Sequence, residues 1–217
     1  MAIKYNDLED CRESPTLTIA LGYYSIFGCA VFAIMILIAD FVVPNHDWIS
    51  DTISDLGAGR YEFIVDIGIY AFSSSLISIS LLSTHIHLGK WPWSLGAIAF
   101  ATIGLIVFLV GARNEYGDSD NEGFVIHTYL VYALGVLFAA APIAMACNAE
   151  CIQTRFRRTL ISLAVLWLVS APIFFIMPDS IDGIYERYLG LIAFAIIITM
   201  ALLFIDRSQR RSRRQAR

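Results

Sequence analysis

Six apolar stretches of membrane-spanning length run through this chain, and few folds accommodate that pattern. A helix needs about 20 mostly apolar residues to cross the hydrocarbon layer of a bilayer. Inside that layer every backbone N–H and C=O must be paired within the segment, so spans of this length are helical. The segments are Thr16–Val43, Phe63–His85, Trp93–Ala112, Phe124–Cys147, Thr159–Met177 and Ile184–Ile205. Only 16% of the 217 residues are charged and 58% are hydrophobic, whereas a soluble domain carries about 25% charged residues. The sequence predicts an all-α, polytopic six-helix bundle, with no room for a second soluble domain. Residues 1–15 read as an N-terminal segment, 16–205 as the six-span membrane domain and 206–217 as a basic tail. Asp7, Glu9, Asp10 and Glu13 precede the first run, where a signal peptide would be basic. That run also exceeds the roughly 7–15 residues of a signal core.

The second span carries Ser73, Ser74, Ser75, Ser78 and Ser80. Serines return a hydrogen bond to the preceding turn or let helices approach closely, so this span is expected in the middle of the bundle. Cys11, Cys29, Cys147 and Cys151 imply no disulfide framework. The i, i+4 pair Cys147 and Cys151 reads as two ordinary cysteines at a helix end rather than a metal pair.

Charge sets the expected orientation. Arg207, Arg210, Arg211, Arg213, Arg214 and Arg217 follow the last span, Arg155, Arg157 and Arg158 lie between the fourth and fifth, and Lys90 lies between the second and third. The other three loops hold only Arg60 and Arg113, against Asp47, Asp51, Asp55, Glu62, Glu115, Asp118, Asp120, Glu122, Asp179 and Asp182. The positive-inside bias puts both termini in the cytoplasm and the acidic loops outside. The basic tail reads as a topology anchor drawn to anionic lipid, at about 1 kcal/mol per basic residue. The alternative is a nucleic-acid or regulatory arm, and no nucleic-acid partner is expected.

The first outer loop is the most informative stretch. From Asp47 to Gly57 it reads D-W-I-S-D-T-I-S-D-L-G. At about 100° per residue, Asp47, Ser50, Asp51, Ser54 and Asp55 share one face and Trp48, Ile49, Ile53 and Leu56 the other. A short amphipathic helix over Asp47–Leu56 is predicted, with Asn45 or His46 at its start and Gly57 at its C-terminal stop. Three stacked acids repel one another unless a cation, a nearby arginine or water neutralises them.

Ionisable residues at membrane depth point to function by default, and here they gather at one end. Asp40 lies in the last turn of the first span, Asp66 about one turn into the second, Arg113 at the end of the third and His127 about one turn into the fourth. Glu186 and Arg187 open the sixth, beside Tyr185 and Tyr188. The plain reading is mutual ion pairing, Arg187 with Asp66 or Asp40, and Arg113 with a loop acid. The sharper reading is a polar pocket in which His127, Asp55, Asp51 and Ser54 are the catalytic candidates, and Arg113, Arg187, Asp66 and Glu186 the substrate-binding ones. An imidazole with a carboxylate neighbour can act as a general base or a ligand. Zinc is poorly served, with only His46 and His127 on this side. A Ca²⁺ or Mg²⁺ site on Asp47, Asp51 and Asp55 is chemically easier. No facing histidines suit haem, and no cofactor is assigned.

Pro44-Asn45 followed by Ile53-Ser54-Asp55-Leu56-Gly57 resembles the signature of a prokaryotic membrane family known as domain of unknown function 998. There an "iSdLG" element follows the first span, and a later acidic loop leads into a span with an early His. Gly111-Ala112-Arg113-Asn114-Glu115 through His127 is similar to that second part, with Arg113-Asn114 where the family pattern has a Pro and an acid. The resemblance covers most of the chain. It implies a six-helix fold in a prokaryotic cytoplasmic (inner) membrane and no particular reaction. A fainter similarity is to eukaryotic membrane proteins of lipid-anchor remodelling.

Three functions fit these residues. One is action on a lipid or lipid-linked substrate at the outer leaflet, with Arg113 or Arg187 holding a phosphate or carboxylate and His127 or Asp55 moving a proton. The second is a transporter or ion-binding protein, although Pro142 and Pro172 are the only candidate helix breaks and both stand away from the outer acids. The third is a non-enzymatic scaffold or sensor. The variety of polar groups favours the first.

Overall fold

The computed structural model describes residues 14–57, 60–112, 126–148 and 153–215. Helix α1 spans Pro15–Val42, α2 Ile53–Leu56, α3 Glu62–His85, α4 Trp91–Ala112, α5 Ile126–Asn148, α6 Thr154–Phe174 and α7 Asp182–Gln215. Six of these, all but α2, are long and apolar enough to cross a membrane. The all-helical, six-span architecture is therefore present, and a short helix does sit in the loop after the first span.

The sequence accounts for most helix ends. Ser14 caps α1, its hydroxyl accepting from the Leu17 N–H, and Pro15 takes the first helical position, where no N–H is needed. Two spans begin before their apolar runs. Helix α6 starts at Thr154, taking Arg155, Arg157 and Arg158 into its first turns. Helix α7 begins at Asp182 and carries the basic tail as far as Gln215. Hydropathy does not register such residues, but arginine and glutamine are good helix formers. At about 1.5 Å per residue the 34 residues of α7 reach roughly 50 Å, well beyond a hydrocarbon layer of about 30 Å. Pro142 and Pro172 lie inside continuous helices and do not break them.

The helices form a closed ring. Helix α1 packs on α3, α3 on α4, α4 on α5, α5 on α6, α6 on α7, and α7 returns to α1. Helices α3 and α7 also touch across the ring. The serine-rich α3 is, with α7, one of the two most buried spans, in keeping with its composition. Ser73 donates to the Gly104 carbonyl at 2.7 Å and Ser80 to the Ala97 carbonyl at 2.8 Å, both on α4. Ser75 and Ser78 bond back into their own helix, and all four are buried. Phe32, Phe72 and Phe194 form an aromatic cluster joining α1, α3 and α7. Phe27, Ile98, Val136, Val169 and Leu191 are exposed, the apolar exterior that a bilayer would cover.

The two ends of the ring differ in charge. At one, Asp206 binds Gln153, Arg155 and Arg210, and the Ser208 hydroxyl donates to the Pro15 carbonyl. This basic end holds both the first and the last described residues. The other, acidic end carries the loop after α1 and the start of α7.

Candidate functional site

The loop after α1 leaves the helix through a Pro44-Asn45 turn. Asn45 has φ of 59°, a left-handed conformation that asparagine tolerates better than most residues. The next residues use their side chains on their own backbone. Asp47 Oδ1 accepts from the Ile49 N–H at 3.0 Å, and Asp51 Oδ2 accepts from the Asp47 N–H at 2.8 Å. Thr52 and Asp55 form a reciprocal capping box: the Thr52 hydroxyl accepts from the Asp55 N–H, while Asp55 Oδ2 accepts from the Thr52 N–H at 2.7 Å.

These bonds correct the expected extent of the amphipathic helix. It covers Ile53–Leu56 rather than Asp47–Leu56, because local side-chain bonds compete with the helical ladder up to Thr52. Among the described residues no group of three acidic, His or Cys side chains could hold a metal. Asp47, Asp51 and Asp55 therefore do not build the anticipated calcium or magnesium cage. Their carboxylates point to separate backbone and side-chain partners instead.

Helix α7 fastens this loop. The Ile184 N–H donates to the Ile49 carbonyl at 3.0 Å. A Glu186 carboxylate oxygen accepts from the Ile53 N–H at 2.6 Å, satisfying an amide that the short helix cannot bond internally. Gly183 lies so close to the Asp51 backbone that a Cβ would collide with the Asp51 carbonyl.

Arg187 is the hub. Its Nη2 stands 2.6 Å from Asp40 Oδ1 and 3.2 Å from His46 Nε2, and its Nη1 donates to the carbonyls of Asp51 and Gly183 at 3.0 Å each. His46, whose side chain is only 3% exposed, lies 3.1 Å from Asp40 through Nε2 and 3.3 Å from Asp51 through Nδ1. An Nδ1–H tautomer would donate to Asp51 while Nε2 accepts from Arg187. Polar groups from three segments, α1, the loop after it and α7, are thus joined by one guanidinium, whose planar fork suits several acceptors at once.

Beneath this roof lies an apolar cavity of about 210 Å³. All six spans and the short helix contribute to its wall, including Phe32, Phe72, Val107, Leu134, Phe138, Trp167, Phe174 and Leu189. Gly135 on α5 and Gly190 on α7 also line it, and a Cβ on either would meet open space. The Trp167 indole donates to the Gly135 carbonyl at 2.8 Å and packs on Phe138. Glu186 is the single ionisable residue among the described lining residues, and Ser54 supplies a hydroxyl.

The structure sorts the sequence candidates accordingly. Asp51, Glu186 and Arg187 belong to the roof, Asp55 caps α2, and Ser54 lines the cavity. Of the two partners expected for Arg187, Asp40 is used and Asp66 is not: Asp66 Oδ1 is buried without a hydrogen-bond partner among the described residues. Arg113 and Cys151 lie outside the described residues, as do the side chains of His127 and Cys147. Sequence reading weighed His46 as a helix start or a metal ligand, not as a partner of Arg187, and missed the cavity glycines. The P-N-H-D segment directly after Asp40 was the available signal for His46.

The profile of the family described as Protein of unknown function (DUF998) matches residues 26–203, from the first span to the last. The chain belongs to the DUF998 family. No curated protein and no solved structure shows a significant match to it. In this DUF998 protein the matched region contains the entire roof and every residue lining the cavity, and ends before the arginine-rich part of α7.

Proposed function

We propose that this membrane protein takes the apolar part of a lipid or lipid-linked molecule into the cavity below the Arg187 roof. The observation that carries the reading is the combination of a continuous apolar wall with polar groups confined to one edge, Glu186 and Ser54. Ligand sites commonly have this make-up, a hydrophobic lining and a few placed polar groups. An apolar cavity of about 150 Å³ accommodates benzene, so about 210 Å³ suits a segment of an acyl or isoprenoid chain. We place the acidic end outward and the basic end in the cytoplasm of a prokaryotic cell, on the arginine asymmetry of the loops. Residues 16–205 then form the membrane domain, and 206–217 the cytoplasmic basic tail. Any chemistry on the ligand's head would fall to Glu186 and Ser54 at the cavity's edge, with Arg113 and His127, assigned to the same side from the sequence alone, as further candidates.

The test is lipid retention. Protein purified in a mild detergent is washed and examined by native mass spectrometry, beside a Gly135→Leu/Gly190→Leu variant that fills the cavity. The wild type is expected to retain lipid adducts that the filled variant loses. Equal retention by both would reject the cavity as the binding place.

A further inference from the structure

The charge at the cavity's edge selects the head group of its ligand. We propose that the cavity receives a single-chain amphiphile with a nitrogen head, a primary amine or ammonium, that pairs with Glu186; the proposal rests on the chain-binding reading above. Glu186 lines the cavity while its carboxylate also accepts from the Ile53 N–H. A carboxylate has two oxygens and about four lone-pair positions, so one backbone donor leaves acceptor capacity.

Among the described residues, the cation next to Glu186 in the chain, Arg187, is committed elsewhere. Both terminal nitrogens of Arg187 are engaged, by Asp40, His46 and the carbonyls of Asp51 and Gly183. Arg187 does not line the cavity, whereas Glu186 does. A phosphate or carboxylate head would therefore meet a carboxylate at the edge, a like-charge contact in a poorly hydrated place. A head that donates through nitrogen gains a charge-assisted hydrogen bond there.

Tryptophan quenching reads this directly, because Trp167 is in the wall. The full chain in neutral maltoside micelles is titrated with terminally brominated alkyl chains of one length, bearing an amine, a hydroxyl or a carboxylate. The signal is the quenching lost on Trp167→Phe, which removes contributions from Trp48, Trp91 and Trp93. Expected is binding of the amine about tenfold tighter than the alcohol, with the carboxylate weakest. In Glu186→Gln the amine and the alcohol should bind alike, and unchanged alcohol binding shows that the variant is folded. Equal amine and alcohol binding in the wild type, or a preference for the carboxylate, would overturn the head-group proposal and leave the chain-binding reading intact. No Trp167-dependent quenching by any of the three would overturn both.

Discussion

Arg187 reaches from the second turn of α7 to the last turn of α1, where its Nη2 lies 2.6 Å from Oδ1 of Asp40. Both side chains are mostly buried, at 16% and 14% exposure. Removing one partner of such a pair strands the other charge and costs about 3 kcal/mol. Asp40→Asn or Arg187→Met should each lower unfolding stability in detergent by that order. The double variant should lose less than the sum of the two single changes, because neither charge is left alone. Strict additivity would show that the two charges do not stabilise each other across α1 and α7.

Gly183 has a different task, which is to let two backbones meet. A methyl group there would strike the Asp51 carbonyl, which also accepts from Arg187. Gly183→Ala should therefore detach the loop from α7, despite alanine's better helix propensity. Limited proteolysis is expected to cut between residues 46 and 57 in the variant faster than in the wild type. Unchanged cleavage would mean that the close approach is dispensable.

The cavity glycines should respond in the opposite direction. Gly135 and Gly190 are interior helix positions with open space where a side chain would go. Gly190→Ala removes a helix penalty of about 1 kcal/mol and meets no steric cost. Its thermal midpoint should rise or hold steady. A clear fall would contradict the open space beside this residue.

Ser73 and Ser80 test how α3 is held to α4. Each donates across the helix interface to a carbonyl that is part of the α4 helix. Hydrogen bonds between membrane helices average about 0.6 kcal/mol. Ser73→Ala and Ser80→Ala should each cost about that much, and the pair about twice as much. A loss of several kcal/mol from either would point to a role beyond helix packing.

How far the sequence discloses this arrangement depends on the range of the interaction. The six spans were legible because a bilayer imposes length and hydropathy on each helix separately. The burial of α3 was legible from its serines. Ends set by charged residues were less so: Arg155, Arg157 and Arg158 lie within α6, and the basic tail prolongs α7. The pairing of Arg187 with Asp40 was one of two options, because sequence gives the depth of each group but not the rotation of its helix. His46 was hidden for a related reason. Its partners Asp40, Asp51 and Arg187 come together only after the Asn45 turn and the docking of α7. The cavity itself could not be read, since it is space that six helices leave between them, and its two glycines look in sequence like ordinary packing glycines.

The central claim, that an apolar chain enters the bundle, is tested most directly by mapping where such a chain sits. A single-chain alkyl amine with a photoactivatable group near the end of its chain is added to the reconstituted protein, irradiated, and its adducts are located by peptide mass spectrometry. The account predicts adducts on cavity residues Leu134, Phe138, Phe174 and Leu189, suppressed by Gly190→Leu. Adducts confined to outward-facing residues such as Val136, Val169 and Leu191, and unaffected by that substitution, would contradict it.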